Sequence, residues 1–215
     1  LINKLTCKNG IRIVSEHLPY VRSVAVGIWV EAGSRYELPE ENGLTHFIEH
    51  MLFKGTETRT AKQIAEEFDR IGGNINAFTS KENTCYYAKV LDHHAEHAVE
   101  ILADMFFHSQ FDANEIEKER QVVLEEINMV EDTPDDIVHE YLWQAMYEND
   151  PLGAPILGTE ETLNSFTKET IQAYMKKHYT PENVVISVAG NIPEGLLEYI
   201  ETLFSQLEKS SNEKI

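Results

Sequence analysis

The order of elements along this sequence predicts an α+β fold, a single mostly antiparallel sheet covered on one side by helices. Two observations carry that expectation. β-Branched, partly alternating runs dominate the first 91 residues (11–15, 21–32, 74–80 and 84–91), broken by amphipathic segments. Helical periodicity then takes over from 93 to 147, and one apolar run at 184–189 returns as a strand. Strands, then clustered helices, then a returning strand is an α+β pattern.

Each element has its own local signal. Residues 11–15 and 21–32 read as strands paired around the turn at Leu18-Pro19. Gly33-Ser34 and the stretch from Pro39 to Gly43 form a polar loop into a first helix, the run 43–56, which closes at Gly55. Residues 60–71 are amphipathic through Ile64, Ala65, Phe68 and Ile71 and stop at Gly72-Gly73. The runs 74–80 and 84–91 alternate about Lys81-Glu82-Asn83 and predict a hairpin. Helices follow at 93–108, at 112–130 with a capping-box pattern on Asp112 and Glu115, and from Pro134 to about Tyr147. The loop 149–155 breaks the chain, 167–178 is a further helix, 184–189 a buried strand and 193–207 a closing helix. A polar tail occupies 209–214.

Composition excludes some partners. With 18 Lys+Arg against 37 Asp+Glu the net charge is −19, which opposes a nucleic-acid backbone and an anionic membrane surface and favours basic peptides. Two cysteines, Cys7 and Cys85, with no C-x-x-C, predict buried thiols in a reducing compartment, the cytoplasm, or the mitochondrial matrix for a eukaryotic chain. No apolar run approaches the roughly 18 residues of a membrane span. The start, Leu-Ile-Asn-Lys, lacks the apolar core of a secretory signal and reads as trimmed or unusual.

The chemistry concentrates at 43–56, where His46, Glu49 and His50 have H-x-x-E-H spacing. At about 100° per residue these three fall on one face, and Leu44, Phe47, Ile48 and Met51 fall on the other. Two neutral imidazoles one turn apart can share a Zn²⁺ at about 2.0–2.1 Å, and a glutamate not spent as a ligand can take a proton from water. The alternative is an amphipathic helix with an ordinary polar stripe. His93, Glu96 and His97 repeat the spacing. There, however, the apolar stripe Ala98, Ile101, Leu102 and Met105 excludes His93 and Glu96. With Asp92 as N-cap, that copy reads as a solvated helix start.

A tetrahedral site needs a third protein ligand. The helix 112–130 offers Glu115, Glu117, Glu119, Glu125 and Glu126, and its apolar residues Ile116, Val122, Val123, Ile127 and Val130 define the buried direction. Glu119 and Glu126 lie at its edge, about 20° apart, with Glu125 about 100° from Glu126. Glu119 and Glu126 are about 10 Å apart along the axis, too far for both to hold one ion. If Glu126 is the ligand, Glu119 stands behind the site, orienting a ligand or water. An inward carboxylate satisfied by Arg120 or Arg70 is the other account.

The motif His46–Thr56, then Gly72-Gly73-x-x-Asn76-Ala77-x-Thr79, then Glu119-Arg120-x-Val122-Val123-x-Glu125-Glu126 resembles the pitrilysin and mitochondrial-processing-peptidase family of inverzincin metallopeptidases, its processing-peptidase-like branch. The loop with Pro151-Leu152-Gly153 and Gly158-Thr159 and the run Tyr179-x-Pro181-x-Asn183 also match, so the likeness covers nearly the whole chain. The resemblance implies a zinc-dependent endopeptidase with His46, His50 and Glu126 as metal ligands, Glu126 standing 76 residues beyond His50. It implies Glu49 as general base, Glu119 as a supporting carboxylate, and Asn76, Ala77 and Phe78 as an edge strand that takes an extended, basic or presequence-like peptide. Family enzymes pair two related halves. Residues 1–208 are therefore expected to be the zinc-bearing N-terminal half and 209–215 the start of a linker, with activity requiring a second homologous half or subunit, a homodimer included. A non-catalytic peptide-binding subunit of the same family is the alternative.

Overall fold

The computed structural model describes residues 1–208; the expected linker at 209–215 lies outside them. Six strands, β1 (Ile2–Thr6), β2 (Arg12–His17), β3 (Ser23–Val30), β4 (Asn74–Thr79), β5 (Thr84–Leu91) and β6 (Val184–Gly190), form one sheet in the order β1-β2-β6-β3-β5-β4. Only β2 and β6 run parallel; the other four pairings are antiparallel. Eight α-helices accompany it among the described residues: α1 (Leu44–Met51), α2 (Ala61–Arg70), α3 (Ala95–His108), α4 (Ala113–Glu131), α5 (Pro134–Met146), α6 (Glu160–Ser165), α7 (Lys168–His178) and α8 (Leu196–Phe204).

The sheet is one-sided because its central strands alternate. Val24, Val26, Ile28 and Val30 of β3 are buried against the helices, while Ala25 and Trp29 face the opposite way and stay exposed. The helix layer closes the core with Leu44, Phe47, Ile48 and Met51 of α1 and Ala98, Ile101, Leu102 and Met105 of α3, all buried. Both apolar stripes are the ones helical periodicity selects.

Several local expectations are corrected. β2 and β3 are not partners, because β6 lies between them: Leu18 N donates to Gly190 O and Asn191 N to Ser23 O. β6 is the more apolar strand and gains most from a central place. The five residues 18–22 reach up to roughly 16 Å, enough to step over one strand. β1 has no buried residue and hence no alternating signal to find. The run 43–56 is helical only to Met51; its continuation turns away so that Gly55 and Thr56 bridge to Thr60 and Ser109. Asp92 does not cap α3: it opens the short turn Asp92–His94 that precedes it, and its carboxylate accepts from His93 N and Asn191 Nδ2. α6, six residues long, is too short to show a period and is set by its Thr159–Thr162 capping box.

One backbone contact positions the site. Gly43, at φ +91, precedes α1, and a Cβ there would come within 2.6 Å of the Cα of Gly158, itself at φ +77. Two glycines thus let the segment 155–158 lie directly on the entry to α1. Gly43→Ala is expected to destabilise the protein by roughly 2 kcal/mol or more, from strain plus collision. Gly72→Ala, at φ +62 with open space around it, should cost about 1 kcal/mol. Urea unfolding of the two variants checks this, and equal losses would contradict the close approach.

Candidate metal centre

A helix leaves its first N–H groups without partners, and in α1 they are met from outside. The carboxylate of Glu37, only 5% exposed, accepts from Gly43 N at 2.8 Å, Thr45 N at 2.7 Å and Asn42 Nδ2 at 3.3 Å. Burial raises the Glu37 carboxyl above its ordinary range, and the hydrogen bonds to Thr45, Gly43 and Asn42 pull the other way. Thr45 Oγ1 also lies 2.9 Å from Tyr174 OH, tying α1 to α7. With its apolar face buried and its start anchored, α1 has one azimuth open to it.

That azimuth turns His46 and His50 toward α4, their ring centroids 4.5 Å apart. Glu126 Oε2 lies 3.8 Å from His46 Nε2 and 3.7 Å from His50 Nε2. One ligand atom from each of the three falls within 4.8 Å of the others, the one such group of three or more His, Cys, Asp or Glu among the described residues. The edges of a tetrahedron with zinc–ligand arms near 2.1 Å are about 3.4 Å, so the spacing suits a cation better than direct hydrogen bonds. Two imidazole nitrogens and one carboxylate also form a zinc-type donor set that leaves a fourth position free. Glu125, its neighbour on α4, is exposed.

The two imidazoles differ electrostatically. Burial, reinforced by the charge of His50, lowers His46 to about 3, which keeps it neutral with a lone pair to give. Burial acts to lower His50 as well, but its hydrogen bond to Glu119 and the nearby charges of Glu126, Glu119 and Glu49 raise it overall. His50 Nδ1–H donates to Glu119 Oε1 at 2.7 Å, and Lys54 Nζ lies 2.5 Å from Glu119 Oε2. Glu119 thus sits behind His50, away from the Nε2 side. Its compensating cation is Lys54; Arg120 instead pairs with Glu117 and donates to Phe166 O.

Glu49 faces β4. Thr79 Oγ1 donates to Glu49 Oε2 at 2.5 Å. Burial raises the Glu49 carboxyl, against the effect of that hydrogen bond. β4 ends the sheet order, so Asn76, Ala77 and Phe78 lie on a strand paired on one side only, with β5. A cleft of about 910 Å³ is lined by His46, Glu49, Ala77, Phe78 and Thr79 on one wall and by residues of α4, α5 and the segment 155–160 on the other. Its apolar members include Leu124, Ile127, Ile137 and Tyr141, and its acidic ones Glu125, Glu131, Glu140 and Glu160.

The second H-x-x-E-H copy is not assembled. His97 Nε2 lies 3.2 Å from Glu67, the His93 side chain is 56% exposed, and no third ligand joins them among the described residues. Three contributors escape sequence reasoning: Glu37, Lys54 and the pairing of Thr79 with Glu49. Lys54 alone leaves a trace, four residues after His50, the interval at which helical side chains meet.

The chain is similar to known proteins in sequence and in fold. Residues 12–160 match the family model described as insulinase (peptidase family M16), and residues 165–215 match one described as peptidase M16 inactive domain. A Bacillus subtilis protein named uncharacterized zinc protease YmxG is 61% identical over 208 residues, covering 97% of this chain and 51% of its own length. The probable mitochondrial-processing peptidase subunit beta of Arabidopsis thaliana is 42% identical over 203 residues, covering 94% of this chain and 38% of its own. The crystal structure of a protease from Helicobacter pylori superposes with a TM-score of 0.92 at 26% identity, over 100% of this chain and 52% of that one. The chain spans about half the length of these two bacterial proteins.

In the metal-free protein, NMR titration should find His46 neutral down to about pH 3, whereas His50 takes up its proton above the ordinary 6.5. At pH 6 the two rings should differ in charge. A normal titration of His46 near 6.5 would mean that the site is more hydrated than described here.

Proposed function

Because this chain belongs to the insulinase family of peptidases, peptidase family M16, we propose that it is the metal-bearing half of a zinc-dependent endopeptidase. The observation that carries the proposal is the meeting of His46, His50 and Glu126, from two helices distant in sequence, with Glu49 left free of the donor set.

His46 Nε2, His50 Nε2 and a Glu126 carboxylate oxygen would hold the zinc. When bound, the ion supplies Lewis acidity, drawing the pKa of a water toward about 7 and polarising the scissile carbonyl. Glu49 accepts the proton of the attacking water and returns it to the leaving amine. Thr79 steadies the acceptor by donating to one of its oxygens. The raised carboxyl of Glu49 brings its basicity nearer to neutral pH, where such an exchange is efficient.

An extended peptide would add to β4 along Asn76, Ala77 and Phe78, gaining main-chain hydrogen bonds that are indifferent to sequence. Thr79 closes that strand, so the same element that aligns the substrate also holds the base. Carboxylates in the cleft and a net charge of −19 favour basic or presequence-like segments. A second homologous half, within one chain or as a separate subunit, would complete the enclosure. Two buried free thiols, Cys7 and Cys85, suit a cytoplasmic setting.

Glu49→Gln in the complete protein should retain about one zinc per chain and lower hydrolysis of a fluorogenic peptide by about 10²–10⁴-fold. Full turnover in that variant would remove Glu49 from its role. Glu126→Gln should lose bound zinc while Glu125→Gln keeps it, as atomic absorption after desalting would report. The reverse pattern would overturn the donor set.

A further inference from the structure

We propose that Lys54 is a positioning residue for the metal centre, acting through Glu119 to hold His50 in the orientation that leaves its Nε2 free. The inference rests on the donor set proposed above. It adds a member that touches neither the candidate cation nor the substrate.

The geometry is a chain of three side chains. Lys54 Nζ is 2.5 Å from Glu119 Oε2, and Glu119 Oε1 is 2.7 Å from His50 Nδ1. Each oxygen of one carboxylate therefore has a different donor. The Glu119 side chain is only 6% exposed, and an ionised carboxylate so far from water needs compensation. His50 as a ligand is neutral and provides a dipole rather than a charge. Among the described residues, Lys54 is the Lys or Arg within salt-bridge distance of Glu119. Its own side chain is 29% exposed, so it brings in charge at a modest desolvation cost.

With Glu119 pinned at Oε2, Oε1 faces the imidazole and fixes the proton on Nδ1 of His50. Ring orientation and lone-pair direction follow, since the hydrogen bond at one imidazole nitrogen decides what the other can do. Without the ammonium, the buried carboxylate gains by swinging toward water, and His50 loses the acceptor that orients it. Lys54 lies three residues beyond the end of α1 at Met51, and its ammonium reaches Glu119 of α4.

Zinc affinity of the complete protein, measured by chelator competition, tests the proposal. Lys54→Met should weaken zinc about 10–100-fold, the range for groups that orient ligands, whereas Lys54→Arg should stay within about 3-fold of the parent because it keeps the charge. In a Glu119→Gln background the Lys54→Met change should have little further effect, because the carboxylate it serves is gone. Should Lys54→Met fold poorly, Lys54→Gln is measured instead, and circular dichroism confirms which variants are folded. In the metal-free protein at alkaline pH, where the ring is neutral, nitrogen-15 shifts of His50 should show a single Nδ1–H tautomer in the parent and a mixture in the folded Met or Gln variant. Parent-like zinc affinity in that variant, or an equal loss with and without Glu119→Gln, would overturn the role of Lys54 and leave the donor set intact. A parent protein that binds no zinc would instead overturn the donor set itself.

Discussion

The burial of one face of α1 constrains everything else in the cleft. Leu44, Phe47, Ile48 and Met51 are each at most 1% exposed, and four such contacts in an eight-residue helix leave no freedom to rotate. At a fixed azimuth, His46, Glu49 and His50 must emerge on the opposite side, between α4 and β4. Glu37 and the contact of Gly43 with Gly158 fix the axial position as the core fixes the rotation. The two imidazoles thus belong to a rigid element, as an ion-binding pair must if little reorganisation is to accompany binding.

Electrostatics divide the work among three carboxylates that share one small region. Glu126 is partly exposed and faces both Nε2 atoms, so its charge is available to an ion. Glu119 is buried and committed to Lys54 and His50. Glu49 meets a hydroxyl rather than a cation, leaving its affinity for a proton raised by burial. The three are chemically the same group, and their partners separate them into the distinct roles proposed above.

The sequence makes the site more legible than the sheet. H-x-x-E-H and helical phase are local properties, and α4 is regular for nineteen residues, so a 100° rule sets Glu126 inward and Glu125 outward. The same rule misplaces Val122, which is 42% exposed, because Glu119 and Arg120 occupy the buried face instead. Helical phase puts Glu119 at the edge of the buried face, but the partners that make the burial of Glu119 and Arg120 tolerable, Lys54 and Phe166 among them, are distant in sequence and leave no trace in the pattern of α4. Strand order fails for a related reason. Nothing in 11–32 records that a segment 160 residues later will separate β2 from β3. Thr79 and Glu49 likewise meet across thirty residues by the docking of a strand edge on a helix, which no spacing rule encodes.

Anomalous diffraction at the zinc edge, from crystals of the zinc-loaded protein, addresses the donor set without recourse to activity. The arrangement described here requires one peak bonded to Nε2 of His46, Nε2 of His50 and a carboxylate oxygen of Glu126, at about 2.0–2.2 Å, with Glu119 still on Nδ1 of His50. A peak held by Glu119, or one lying among His93, Glu96 and His97, would contradict it.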